Sequence, residues 1–559
     1  MARQTPFSIE TAAYVAIAIL ALVLRFGSLG DLPLNEHEAA AALPAYALAQ
    51  GAGAGIGTAK IGDQPAYTLL TTALFSILPS SEFAARLWPA LFGVLLVVLP
   101  YFWRDVLGRP AALVLALGLA LDPGLVDVSR LASGQMLAVA AILLALTAWR
   151  RQRFVLAGAM LGLALLSAPS MYVGLFAMIL VWAFFVNNAR VSTAAWRPAA
   201  VAAAAVLVLG STLFLQVPAG LGSITTSLVS FVSGWTQPSG ISALKVLFAL
   251  LGYGLPAVLF GVWGAALAWR NADPAGRLLS LFAAIALALV LVYPGRQVAD
   301  LLWALVPLWA LAAQAIGRYL FVPQDEPVAA WGQALLVSVL LSFLILSLAR
   351  IPSNEAIPEL VHSYMFVALG VVALGVVASL LIGLGWSAQA AIHGLVWGLG
   401  LFFALFALAG ATRFANPESP RGAELWAPGP AAGQLDLLQD SLTDLSNYAA
   451  GQPGALSVDL RVDSAALAWL LRQLPAAPSG SSAPLIITLA NEAEPAEASA
   501  YRGQSFLLSS AAGWQHAPAS PISWLLYRKA PQVHEHIILW AASDLLPQDE
   551  TANSSGDTR

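Results

Sequence analysis

Four stretches of this chain bring ionisable side chains to spacings that could do chemistry. The first is Leu34-Asn35-Glu36-His37-Glu38, just past the first long apolar run. Glu36 and Glu38 lie two apart, so on a helix they point roughly 200° from one another and only one can face a given site. Either carboxylate could serve as a general base if a nearby cation or partial burial tunes it. His37 could act as a base or, when protonated, hold an anion. The competing reading is a wet surface loop whose charges do nothing.

The second stretch runs from Asp122-Pro123 through Asp127-Val128-Ser129-Arg130 to Gln135. Arg130 is suited to a bidentate grip on a phosphate oxygen pair; alternatively it snorkels at the end of a span. The third is Tyr293-Pro294-Gly295-Arg296-Gln297, where Arg296 either adds a second phosphate contact or pairs with Asp300 along a helix. The fourth, Glu355, Glu359 and His362, is at helical spacing and reads as a solvated face. His534 and His536 share one face of a strand, but without further ligands they do not make a metal site, and lone His393 reads as packed within a span. There is no P-loop, no dinucleotide fingerprint and no Gly-x-Ser-x-Gly, and Gly51–Gly57 does not join a strand to a helix. No cofactor or metal is expected.

The elements that must position these groups are apolar helices. Of 559 residues 59% are hydrophobic and only 10% charged, against roughly 25% charged in soluble domains. A polytopic α-helical membrane protein follows. The chain has no cysteine, which excludes disulfides and thiolate metal sites. A span needs about 20 apolar residues, and runs of that kind recur from 9–28 to 391–411, giving about 11–13 spans. Residues 9–28 read as an uncleaved first span, not a removed signal peptide. With the N-terminus inside, 11 of the 18 basic residues before position 413 fall on the cytoplasmic side, Arg150-Arg151-Gln152-Arg153 being the strongest anchor. The first loop, 30–65, then lies outside, and Tyr67–Leu78 is too short to span and reads as re-entrant or interfacial.

After Arg413 the composition changes. The chain divides into a membrane domain at 1–412, a Pro/Gly-rich linker at 413–433, a small extracytoplasmic α/β domain at 434–550 and a frayed tail at 551–559. Residues 413–559 carry 8 basic against 15 acidic side chains, which argues against nucleic acid. Leu435–Tyr448 and Ser464–Leu474 read as helices. Ala455–Leu460, Leu485–Leu489, Ser505–Leu508, Trp524–Tyr527 and Ile537–Trp540 read as strands.

Taken in order, Arg25-Phe26, Leu32-Pro33-Leu34-Asn35-Glu36-His37-Glu38-Ala39, Asp63-Gln64-Pro65-Ala66-Tyr67 and Phe83-Ala84-Ala85-Arg86-Leu87-Trp88-Pro89 resemble the polytopic GT-C glycosyltransferases of the protein-O-mannosyltransferase-like group, glycosyltransferase family 39. The tail stretches Ala468-Trp469-Leu470-Leu471-Arg472 and Trp524-Leu525-Leu526-Tyr527-Arg528 resemble those of bacterial members with an outer C-terminal domain. The resemblance implies a plasma-membrane enzyme that moves a sugar from a polyprenyl-phosphate carrier to an extracytoplasmic acceptor. It implies a first-loop carboxylate as base (Glu36 or Glu38, with His37 beside them), Arg130 and Arg296 on the donor phosphate, and Asp63, Gln64, Tyr67 and Gln135 lining the substrate. His37 stands where the family has Asp, and Ser133-Gly134-Gln135 stands where it has a further acid. The alternative is a catalytically inactive homologue that binds a glycan or a partner at the membrane.

Overall fold

The computed structural model describes residues 9–51, 62–185, 193–215, 220–321, 327–352, 357–419, 421–477, 483–492, 498–514, 518 and 520–546. Glu355, the glycines from 52 to 57 and the tail 551–559 lie outside them. Among the described residues eight helices are long and apolar enough to cross a membrane, and a ninth span is a bent pair. The protein is a multi-pass membrane protein, with fewer full-length spans than the 11–13 expected. The apolar runs near 134–149, 154–167, 171–186 and 198–216 form the shorter helices Gln135–Arg150, Phe154–Leu165, Met171–Ala183 and Trp196–Ser211. Apolarity continues beyond Leu165, but Pro169 disfavours helical backbone before it, so this helix stops after 12 residues. At 1.5 Å per residue that is about 18 Å, short of the hydrocarbon core.

The chain folds as two compact units. The first comprises Met1–Asp31, Pro44–Pro428 and Trp514–Ala530; the second comprises Leu32–Leu43, Gly429–Gly513 and Pro531–Arg559. Both depart from the expected division at 412 and 434, because part of the first loop belongs to the second unit and a tail segment belongs to the first.

In the first unit the helix Val298–Gly317 is the most enclosed span, 83% buried, whereas Pro358–Gly385 is only 11% buried. A helix that is apolar all round and still exposed is a helix facing lipid. Side-chain caps start several spans. Ser81 accepts from Ala84 N, Ser242 from Lys245 N, and Ser387 from Ala390 N.

The bent pair, Arg109–Leu121 followed by Pro123–Ser129, turns by 59° at Asp122. Pro123 lacks an N–H and cannot continue the helix ladder. The polar groups this exposes are met in turn. Asp122 Oδ1 accepts from Leu125 N at 3.0 Å, and its Oδ2 accepts from the Trp309 indole at 2.7 Å. Fully buried Arg25 donates to the freed carbonyls of Leu119 (2.9 Å) and Ala120 (3.3 Å). Gly93 leaves room for this, since a Cβ there would lie 2.9 Å from Arg25 Nε.

The first unit also holds the helix Pro521–Tyr527, where Trp524–Tyr527 had read as a strand. Short apolar runs carry no period to decide between the two, and the Ser520-Pro521 start settles it for helix, since proline favours the first helical position. Trp524 is buried and its indole donates to Ala423 O at 2.9 Å. The Arg528 guanidinium lies over the Tyr253 and Trp524 rings at 4.4 and 4.2 Å and faces Glu424 at 3.5 Å, while Tyr253 Oη also donates to Glu424.

The second unit is a five-stranded sheet in the order β1-β4-β5-β3-β2, with β1 Ala431–Ala432, β2 Val458–Leu460, β3 Leu485–Leu489, β4 Tyr501–Ala512 and β5 Gln532–Ala542. β2 and β3 are parallel and the other pairs antiparallel. A parallel pair needs a crossover, and the helix Ala465–Leu470 provides it, burying Leu467 and Trp469. The helix Leu435–Ala450 buries Leu435, Leu438, Leu442 and Ser446 at helical spacing and ends at Gly451, whose φ of 70° suits glycine. His534 and His536 alternate on β5 with ring centroids 6.3 Å apart.

Candidate functional site

Asn35 caps the helix Glu36–Ala49 of the first loop. Its Oδ1 accepts from Glu38 N at 3.0 Å, and Glu38 Oε2 accepts from Asn35 N at 3.3 Å. This is a reciprocal capping box, legible in the Asn-x-x-Glu spacing but not read from it. Glu38 is thereby drawn inward to 2% exposure. Glu36, on the first turn, points elsewhere. Its carboxylate accepts from Ser464 Oγ (2.8 Å), Ala465 N (2.6 Å) and Ala466 N (3.1 Å), at the N-terminus of the helix Ala465–Leu470. The helix dipole and two N–H groups hold that charge, so Glu36 serves as an anchor inside the second unit. His37 is half-buried between them.

In the first unit, Arg130 is 3% exposed and spends both terminal nitrogens on the end of the first helix. Nη1 donates to the carbonyls of Leu24 (3.1 Å), Arg25 (3.2 Å) and Gly27 (2.7 Å), and Nη2 to Ser28 (3.2 Å). Its Nε has no acceptor among the described residues. Burial, then the Arg421 and Arg86 charges, lower its pKa to about 10, opposed by Asp127 and Asp31. It therefore stays protonated at neutral pH. The Arg421 and Arg86 guanidinium groups and the Asp127 and Asp31 carboxylates thus lie within electrostatic range of Arg130, at the C-terminal end of the first span. Arg86 donates to Leu29 O at 3.1 Å and Arg421 to Phe414 O at 2.7 Å, so each is held by a helix-terminal or loop carbonyl. The group suits an anion.

The remaining candidates are distributed around this unit. Gln64 Oε1 accepts from Gly134 N at 2.7 Å, adjoining Gln135, which opens the helix Gln135–Arg150. The Asp63 carbonyl accepts from Ser227 Oγ. Tyr67 is fully buried in the short helix Pro65–Phe75 and donates to Ala85 O at 2.9 Å. Arg296 donates to Ile241 O at 3.0 Å and does not join the Arg130 group; Asp300 accepts from Gln297 N at 2.8 Å in a capping box. His393 is buried, its Nδ1 2.8 Å from Gln389 O and its ring edge-on to Tyr319. Among the described residues no group of three His, Asp or Glu side chains could hold a metal ion.

Arg86 and Arg421 were not singled out as ligands from sequence. Arg86 stood inside a recognised motif, but Arg421 follows a Pro-rich stretch, and nothing local ties it to Arg130 nearly 300 positions earlier.

Residues 63–215 match the family model described as dolichyl-phosphate-mannose-protein mannosyltransferase. No curated protein matches the chain by sequence. Among solved structures, ArnT from Cupriavidus metallidurans bound to undecaprenyl phosphate superposes with a TM-score of 0.58 at 15% identity, covering 96% of this chain and 99% of that one. The apo state of the same enzyme gives 0.54 at 16% identity, covering 97% and 100%. The small sheet unit as well as the spans therefore falls within the shared fold. Over nearly its full length the chain shares the fold of these two structures, and its residues 63–215 resemble the dolichyl-phosphate-mannose-protein mannosyltransferase family.

Proposed function

We propose that the protein transfers a sugar from a polyprenyl-phosphate-linked donor to an extracytoplasmic acceptor. The observation that carries this reading is the cationic group of Arg86, Arg130 and Arg421 at the outer end of the first span, with Asp31 and Asp127. Three arginines near two carboxylates make a net cationic place at the end of a span, which attracts an anion such as a lipid phosphate. The family match over 63–215 and the fold shared with ArnT, whose structure holds undecaprenyl phosphate, support the same donor class.

In this mechanism Glu38 takes the proton of the acceptor hydroxyl as that oxygen attacks the sugar's anomeric carbon. The bond to phosphate breaks, and the arginines stabilise the charge that develops on the departing polyprenyl phosphate. Glu38 is preferred over Glu36 because both Glu36 carboxylate oxygens are already engaged by Ser464 Oγ and the N–H groups of Ala465 and Ala466. His37 adjoins the base, and the loops of Asp63, Gln64 and Gln135 flank the substrate. The C-terminal sheet unit lies on the extracytoplasmic side and meets the acceptor. A second reading, an inactive homologue that binds glycan, draws on the same fact about Glu36, namely that one of the two first-loop carboxylates has become structural.

The test is turnover by the purified full-length protein in lipid with a panel of radiolabelled polyprenyl-phosphate sugars and envelope extract as acceptor. Transfer abolished in Glu38→Gln supports the enzyme. Donor binding without transfer in the native protein selects the binding homologue.

A further inference from the structure

A lined recess opens on the lipid-facing side of the first unit, between the start of the helix Pro327–Ala349 and the end of Pro358–Gly385. It has a volume of about 440 Å³ and is bounded by Pro327, Gly332, Gln333, Ile382 and Trp386. Next to it an apolar groove of about 610 Å³ runs along the same helices, past Val337, Leu341, Leu344, Val376 and Leu384. Both volumes fall in the range of about 300–1,000 Å³ usual for small-molecule sites.

Gln333 is the unusual residue here. It is fully buried, and its Oε1 has no hydrogen-bond partner among the described residues. The neighbouring bonds fix which end of the amide is which. Ser379 Oγ gives its proton to Gly375 O at 2.7 Å, so it must accept from Gln333 Nε2 at 2.6 Å, and the amide oxygen is the atom left over. The side chain cannot swing away, because the helix Ala388–Ala415 presses against its stem. A Cβ on Gly394 would lie 2.4 Å from Gln333 Cβ. A buried acceptor held in place without a donor is rare in folded proteins. Trp386, 63% exposed, is the aromatic wall of the same recess.

We propose that this recess binds a membrane phospholipid with a primary ammonium headgroup, of the phosphatidylethanolamine class. An ammonium group donates to Gln333 Oε1 and is attracted to the Trp386 ring, while an acyl chain occupies the adjoining groove. The recess residues named carry no cationic side chain to hold an anionic headgroup. A choline headgroup keeps the cation but has no N–H to give, so the amide oxygen separates the two lipids.

The experiment is competitive lipid retention on the full-length protein in nanodiscs, read by native mass spectrometry, with phosphatidylethanolamine, phosphatidylcholine and phosphatidylglycerol of identical chains. The expected result is at least a fivefold preference for phosphatidylethanolamine over phosphatidylcholine. That preference is lost in Gln333→Leu and retained in Gln333→Glu, which keeps acceptor oxygens. Trp386→Leu lowers retention of both the ethanolamine and the choline lipid. Equal retention of the ethanolamine and choline lipids, preference for phosphatidylglycerol, or an unchanged preference in a folded Gln333→Leu protein overturns the proposal. If Gln333→Leu does not fold, the native selectivity together with Trp386→Leu decides.

Discussion

Arg25 and Arg130 each cap a helix end in the other's segment of the bent pair and the first span. The Arg25 guanidinium, from the last turn of the first span, donates to the carbonyls where the helix Arg109–Leu121 breaks. Arg130, just past that break, donates to the carbonyl of Arg25 itself at 3.2 Å and to three of its neighbours. Two helix ends far apart in sequence are thus capped by one exchanged pair of cations.

Removing Arg25 leaves two buried carbonyls and Asp122 without their cation. Arg25→Leu should cost about 3–5 kcal/mol of stability, the range for breaking a buried charged interaction from one side. Thermal unfolding in detergent would show a marked drop, and an unchanged midpoint would mean that the exchange is not structural.

The two first-loop carboxylates should separate cleanly. Glu36→Gln weakens a helix cap at a cost of about 0.5–2 kcal/mol and should show as earlier melting of the sheet unit, with turnover within a few-fold of native. Glu38→Gln should lower turnover by about 10²–10⁴-fold, the span usual for a general base. The opposite assignment would transfer the base to Glu36.

Arg421 belongs to the cationic group and donates to Phe414 O at 2.7 Å. Arg421→Gln should raise the half-saturating donor concentration about tenfold, equivalent to about 1.4 kcal/mol, with a smaller change in the turnover number. A binding isotherm for polyprenyl phosphate in nanodiscs measures this. Arg296→Gln, at a separate loop, should leave that isotherm within twofold.

Gly93 is a position where any side chain is too large. A Cβ would lie 2.6 Å from Ser129 Cβ and 2.9 Å from Arg25 Nε. Gly93→Ala should cost about 1–3 kcal/mol by overpacking, and Ser129→Gly should recover only part of it because Arg25 still intrudes. Melting curves of the single and double variants give the comparison.

The membrane character, the shortness of the apolar stretch after Asp63 and strand β3 at Leu485–Leu489 were legible because each rests on local composition or alternation. Span number was not, since a hydropathy run passes through Ser167-Ala168-Pro169 while the helix stops. The helix at Pro521–Tyr527 looked like a strand because seven residues hold too few turns to show a period. The role of Glu36 depends on an N-terminus more than 400 residues away, and no spacing rule reaches that far. For the same reason the arginine group could be read only as separate members.

The membrane unit is not one continuous stretch of chain, because Trp514–Ala530 belongs to it although the sheet strands precede and follow that segment. Cutting the gene after Pro428 would therefore remove Trp524 and Arg528, the cation that faces Glu424 at 3.5 Å. In evolutionary terms the tail is not a detachable module.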